Sequence, residues 1–94
     1  MYLENPNFEE SEKMLKIFKK IAKNKRIKEE DLTFFEDEII GYMLHETQGI
    51  GHLSLQNRVD FFRSDFENIK DYILNQYLQE YNPLYNNFNS VVFK

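Results

Sequence analysis

The stretch KMLKIFKKIAK, residues 13–23, decides the fold. On a helical wheel of about 100° per residue, Met14, Leu15, Ile17, Phe18, Ile21 and Ala22 fall within a sector of about 160°, and every Lys falls in the opposite one. Such a segment is an amphipathic helix with one side to bury. Upstream, Asn7-Phe8-Glu9-Glu10 pairs an N-cap residue with a Glu three places on, so side chain and backbone donors can satisfy one another near residue 8. Downstream, Asn24 tolerates the left-handed backbone of a helix C-cap, and the first helix is expected over 8–24.

Working outward, a second helix is expected over 30–46, starting between Lys28 and Thr33. Glu29, Glu30 and Asp31 suit a positive helix end, and Thr33-x-x-Glu36 offers a further capping box. Its apolar spine is Leu32, Phe35, Ile39, Tyr42 and Met43, while Phe34, Ile40 and Leu44 fall outside that sector. A helix apolar on more than one side belongs at the centre of a bundle. Gly41 would let another backbone come close, at a helix-propensity cost of roughly 1 kcal/mol.

Gly49 and Gly51 interrupt the pattern in QGIG. Beyond them Leu55, Val59, Phe62, Phe66, Ile69, Ile73 and Tyr77 recur at spacings of mostly four and three, predicting the longest helix over 54–81. Ser64-Asp65-Phe66-Glu67 resembles a capping box inside it. The apolar phase nevertheless runs through without a slip, which favours one bent helix over two. Asn82-Pro83 ends it, because proline cannot donate an interior helix bond and restricts the residue before it. The tail 83–94 carries Leu84, Tyr85, Phe88, Val91, Val92 and Phe93 and is expected to dock, as an added strand or across the bundle.

The expected fold is therefore all-α: a small bundle of three main helices, or four, with a docked C-terminal tail, forming a single domain over 1–94. Composition agrees. The 94 residues include nine Phe and six Tyr, ample for a core, but only three Gly and two Pro, too few for the turns of an all-β chain. With no Cys, disulfide frameworks and thiolate metal sites are excluded. The opening MYLENPNFEE lacks the basic and apolar regions of a secretory signal, and no stretch approaches the ~18 apolar residues of a membrane span. The expected location is cytoplasmic.

Charge is sorted along the chain. Twelve Lys and Arg oppose sixteen Asp and Glu, a net −4, yet residues 13–28 hold eight of the cations and no acid. The remainder carries four cations and all sixteen acids. A basic helix acting through Lys16, Lys19, Lys20 and Lys23 can contact nucleic acid or another anionic surface. The same lysines also serve as a solvated face that complements the negative end of helix 1. Arg26 is the only Arg in the run, and Phe18 is on the core side, so the aromatic and guanidinium elements of a nucleic-acid surface are missing.

On the predicted third helix, Asp60, Glu67 and Asp71 share an edge, with Phe61, Asp65, Asn68 and Tyr72 beside them and away from the apolar stripe. Aromatic anchors within an acidic rim would steer and then desolvate a basic partner. Alternatively, the two rings lie under the tail or helix 1 and the acids are an ordinary solvated face.

Chemistry-bearing patterns are few. His45-Glu46 and His52 make H-E-x₅-H across the glycine break, which is not the H-E-x-x-H zinc motif. Ser54, His52 and Asp60 lack a nucleophile elbow, and Gly49-Ile50-Gly51 lacks the rest of a phosphate loop. No catalytic residue, metal or cofactor is expected. The expectation is a small acidic protein-binding module of the inhibitor, immunity-protein or antitoxin kind, which occludes a basic surface on a nuclease, toxin or other nucleic-acid-binding enzyme. The site would be Asp60, Phe61, Asp65, Glu67, Asp71 and Tyr72. The competing expectation is a nucleic-acid or anionic-surface binder working through 13–28. Homo-oligomerisation through the two-sided helix 2 and Gly41 is a further possibility.

Overall fold

The computed structural model describes residues 8–40, 53–78 and 82–93, and among them the chain is all-helical with no strand. Helix α1 spans Phe8–Ala22, with Glu9 and Glu10 in its first turn and Lys19 and Lys20 in its last, each sign opposing the helix dipole. All six apolar residues of the predicted sector are buried. Asn24 adopts φ 55°, the left-handed conformation expected of it. Around it Lys25 N–H bonds the Lys20 carbonyl at 2.9 Å and Asn24 N–H the Ile21 carbonyl at 3.1 Å, the paired bonds of a Schellman cap.

Helix α2 spans Glu29–Glu38. It starts a turn before Thr33, so the Thr33 capping box is not used, and Lys28 precedes it in extended backbone without a side-chain cap. Leu32, Phe35 and Ile39 are buried as predicted, Phe34 is half-buried beneath the Lys13 ammonium at 4.4 Å, and Ile40 is exposed. Ile39 leaves helical geometry at φ −110°, its N–H shared between the Phe35 and Glu36 carbonyls. Gly41, Tyr42, Met43, Leu44, His45, Glu46, Gly49, Gly51 and His52 lie outside the described residues, as do Asn7 and residues 79–81.

The single long helix expected over 54–81 is not what forms. Its described part divides into α3, Leu55–Ser64, α4, Phe66–Tyr72, and a π-helical segment, Ile73–Leu78. The break falls on Asp65, at φ −113° and ψ 25°. One side-chain bond competes for a helix carbonyl there, Ser64 Oγ donating to the Phe61 carbonyl at 2.8 Å, which Asp65 N–H also reaches at 3.1 Å, while Asn68 Nδ2 donates to Asp65 Oδ1 at 2.8 Å. Val59, Phe62, Phe66, Ile69 and Ile73 stay buried across the break, so the apolar phase survives while the axis does not. In the π segment the backbone bonds span five residues where an α-helix spans four, and Ile73 and Leu78, five apart, are both buried.

The tail docks. Asn82 Oδ1 accepts from Leu84 N–H at 2.8 Å and the Asn82 carbonyl accepts from Tyr85 N–H at 2.9 Å, an Asx turn with Pro83 at its corner. Helix α5, Tyr85–Asn89, follows and lays Phe88 into the core, while Lys70 Nζ donates to the Val91 carbonyl at 2.8 Å. The tail thus crosses the bundle as a short helix and not as a strand.

Each of the five α-helices among the described residues contributes one Phe to a common centre. Phe18 of α1 stacks on Phe66 of α4 at 4.7 Å and 3°, and meets Phe35 of α2 at 6.3 Å and Phe88 of α5 at 5.8 Å. Phe62 of α3 sits edge-on to Phe35 at 5.7 Å. Burying each ring stabilises the fold by about 1.5–3 kcal/mol, and favourable ring pairs add about 0.5–1.5 kcal/mol.

Candidate functional site

The predicted acidic site straddles the α3–α4 junction. Asp60, on α3, is exposed and accepts from Gln56 Nε2 at 2.9 Å one turn earlier. Phe61 is half-buried, its ring edge-on to that of Phe62 at 5.8 Å. Glu67 and Asp71 are exposed on α4, and Tyr72 is half-buried against the core margin. The two rings are therefore neither sealed beneath the tail nor free-standing.

What the fold brings together is a subset of these residues with one the sequence reading passed over. Asp65 and Glu67 line a cleft of about 220 Å³ with Arg63, Ser64, Phe66, Asn68 and Phe93. Asp60, Phe61, Asp71 and Tyr72 do not line it. Phe93 is 44 % exposed, and its neighbour Val92, at 64 %, is the most exposed large apolar side chain among the described residues. One face of the Phe93 ring is held by the core: it packs on Phe66 at 5.4 Å, and the Arg63 guanidinium lies 4.7 Å from its centroid. Val91-Val92-Phe93 is an apolar run in non-helical backbone, in which Val91 is buried while Val92 and Phe93 are exposed.

Arg63 is a second residue that sequence reading missed. Its Nη1 donates to the Ile21 and Ala22 carbonyls at 2.6 and 2.9 Å, closing the negative end of α1 from a distant element. Its guanidinium also lines the cleft, one positive charge beside the two carboxylates of Asp65 and Glu67.

The basic face is also in place. Lys16, Lys19 and Lys23 are exposed and Lys20 is half-buried, and among the described residues none of the four has a carboxylate partner. Lys19 and Lys23 border a cleft of about 270 Å³ with Ala22, Ser90, Val91 and Val92. A broader cleft of about 570 Å³ lies between Lys25 and Arg26 and the start of α3, where Ser54 Oγ accepts from Asn57 N–H at 3.2 Å.

Perturbed titrations belong to the scaffold. Burial raises the Glu36 carboxyl above its ordinary value, opposed by Arg58, whose guanidinium bonds Glu36 at 3.1 Å and Glu29 at 2.8 Å. Burial, reinforced by the Glu38 carboxylate that accepts from its hydroxyl at 2.8 Å, pushes Tyr77 up. Among the described residues no cluster of three or more His, Asp or Glu could hold a metal ion, and no helix is long and apolar enough to cross a membrane. No family model, curated protein or solved structure matches the chain.

Proposed function

We propose that this chain is a small protein-binding module that captures a basic segment of another protein and occludes it, as an inhibitor, immunity protein or antitoxin does. The observation that supports this reading is the junction cleft, in which Asp65 and Glu67 share a wall with the half-exposed Phe93. Carboxylates speed the encounter with a cationic surface, and a partly exposed ring already braced on one side provides a desolvated anchor at little entropic cost. The anchor is thus Phe93 and not Phe61 or Tyr72, while Asp60 and Asp71 act at longer range. Lys or Arg side chains that otherwise meet phosphate would be covered.

The test is a peptide array probed with labelled protein. Retention of peptides that combine Lys or Arg with an apolar residue, weakening as salt rises, is expected, and Glu67→Lys should reduce it about tenfold or more. Equal retention of acidic and basic peptides would refute the reading.

Lys16, Lys19, Lys20 and Lys23, which have no carboxylate partner among the described residues, support a second reading, in which they bind nucleic acid. It requires a gel-shift affinity that falls linearly with log salt. No shift at low salt removes it.

A further inference from the structure

Past Ser90 the chain leaves helical geometry, and its own backbone does little to hold it. Val91 N–H bonds the Phe88 carbonyl at 3.1 Å, and among the described residues Val92 and Phe93 make no backbone hydrogen bond to another element. Side chains fix the segment 91–93 instead. Val91 is buried, the Phe93 ring packs on Phe66 at 5.4 Å with the Arg63 guanidinium 4.7 Å from its centroid, and Lys70 Nζ donates to the Val91 carbonyl at 2.8 Å. Lys70 follows Phe66 by one turn of α4, so ammonium and ring grip the same short segment from one helix. For a site that recruits cations, Lys70 has the wrong sign, since a like charge nearby slows the encounter. The carbonyl it holds accounts for its place.

We infer that docking of residues 91–93 gates the capture site, with Lys70 as the latch. The inference rests on the capture reading and adds its regulation. Phe93 lines the cleft with Asp65 and Glu67 while the segment lies docked, so the affinity observed is the intrinsic one reduced by the docked fraction. Held by one charge-assisted bond, one buried valine and one half-exposed ring, the segment opens more readily than the helices and leaves Phe88 in the core when it does. Lys70 is thus a positioning residue: it acts on the captured peptide through Val91 and Phe93, without touching it.

Two readouts on the full chain test this: affinity for a basic peptide of Lys, Gly and Leu, and the nuclear Overhauser contact between the Phe93 and Phe66 rings. Lys70→Met keeps the aliphatic stem and removes the ammonium. Repulsion alone then predicts tighter capture, whereas the latch predicts capture weakened about tenfold and a lost Phe93–Phe66 contact, with the Phe18–Phe66 contact unchanged. Lys70→Arg, which retains a cationic donor, should restore both. In a Phe93→Ala background Lys70→Met should weaken capture no further, since no anchor is left to position. The inference is overturned if Lys70→Met leaves the Phe93–Phe66 contact intact, tightens capture, or weakens it equally in the Phe93→Ala background. A wild-type chain that captures no basic peptide sinks the capture reading and the gating with it. The ring contact still reports, on its own, whether Lys70 holds the tail, so the two failures are told apart.

Discussion

At the scale of single residues, the strongest electrostatic commitment is Arg58, only 5 % exposed and bonded to Glu36 and Glu29, with its Nε lacking a hydrogen-bond partner among the described residues. The two acids are not equivalent. Glu29 is 69 % exposed at its side chain, so water screens its share, whereas Glu36 is 13 % exposed. Arg58→Ala should cost about 3–5 kcal/mol in denaturant unfolding, because it strands the Glu36 carboxylate in low dielectric; Arg58→Met strands the same carboxylate and should recover only the packing, whereas Arg58→Met combined with Glu36→Gln should recover most of the loss. Glu36 has a folded pKa above its ordinary value of 4.5, so its contribution to stability is present at acid pH and is lost as pH rises through the folded value. Glu36→Gln, which keeps an acceptor for Arg58, should flatten that part of the stability–pH profile. Tyr77 has the same sign at the other end of the scale. Folding holds it neutral, so its contribution is intact below about pH 10 and lost above it, where the unfolded chain ionises first. Tyr77→Phe should lose about 1 kcal/mol at neutral pH, for the bond to Glu38, and soften the alkaline decline.

Among the elements, α1 was the most legible. Its apolar sector, acidic start, basic end and left-handed Asn24 could each be read from residues 7–24, because each depends on spacing or on intrinsic backbone preference. Asn24→Ala should destabilise by about 1 kcal/mol in thermal unfolding, since alanine pays a steric penalty at positive φ, and Asn24→Gly should be neutral or better. The break at Asp65 was visible as Ser64-Asp65-Phe66-Glu67 and yet misread, because an uninterrupted apolar phase does not distinguish a straight axis from a jointed one. The π segment had no such marker: only a neighbour's packing decides whether a turn takes in an extra residue. Phe93 was passed over for a related reason, since the face a non-helical run exposes depends on what it lies against.

For the molecule as a whole, the modest net charge of −4 conceals a basic run over 13–28 opposed to an acidic remainder, and the fold brings a piece of each to either side of the tail. That segregation could be read from the sequence; the meeting at residues 91–93 could not, because it depends on where α5 is laid. Docking of the tail is integral to stability. Phe88 is fully buried against Phe18, so Phe88→Ala should lower stability by about 3–5 kcal/mol in urea unfolding, a larger effect than expected of a five-residue helix taken alone. Since each α-helix among the described residues hands one ring to the same cluster, none of them is an appendage that can peel away and leave a smaller working bundle behind. Fraying stops where the rings begin, and the slowest-exchanging amides of α1 and α5, far apart in sequence and very different in length, should open together as one cooperative event.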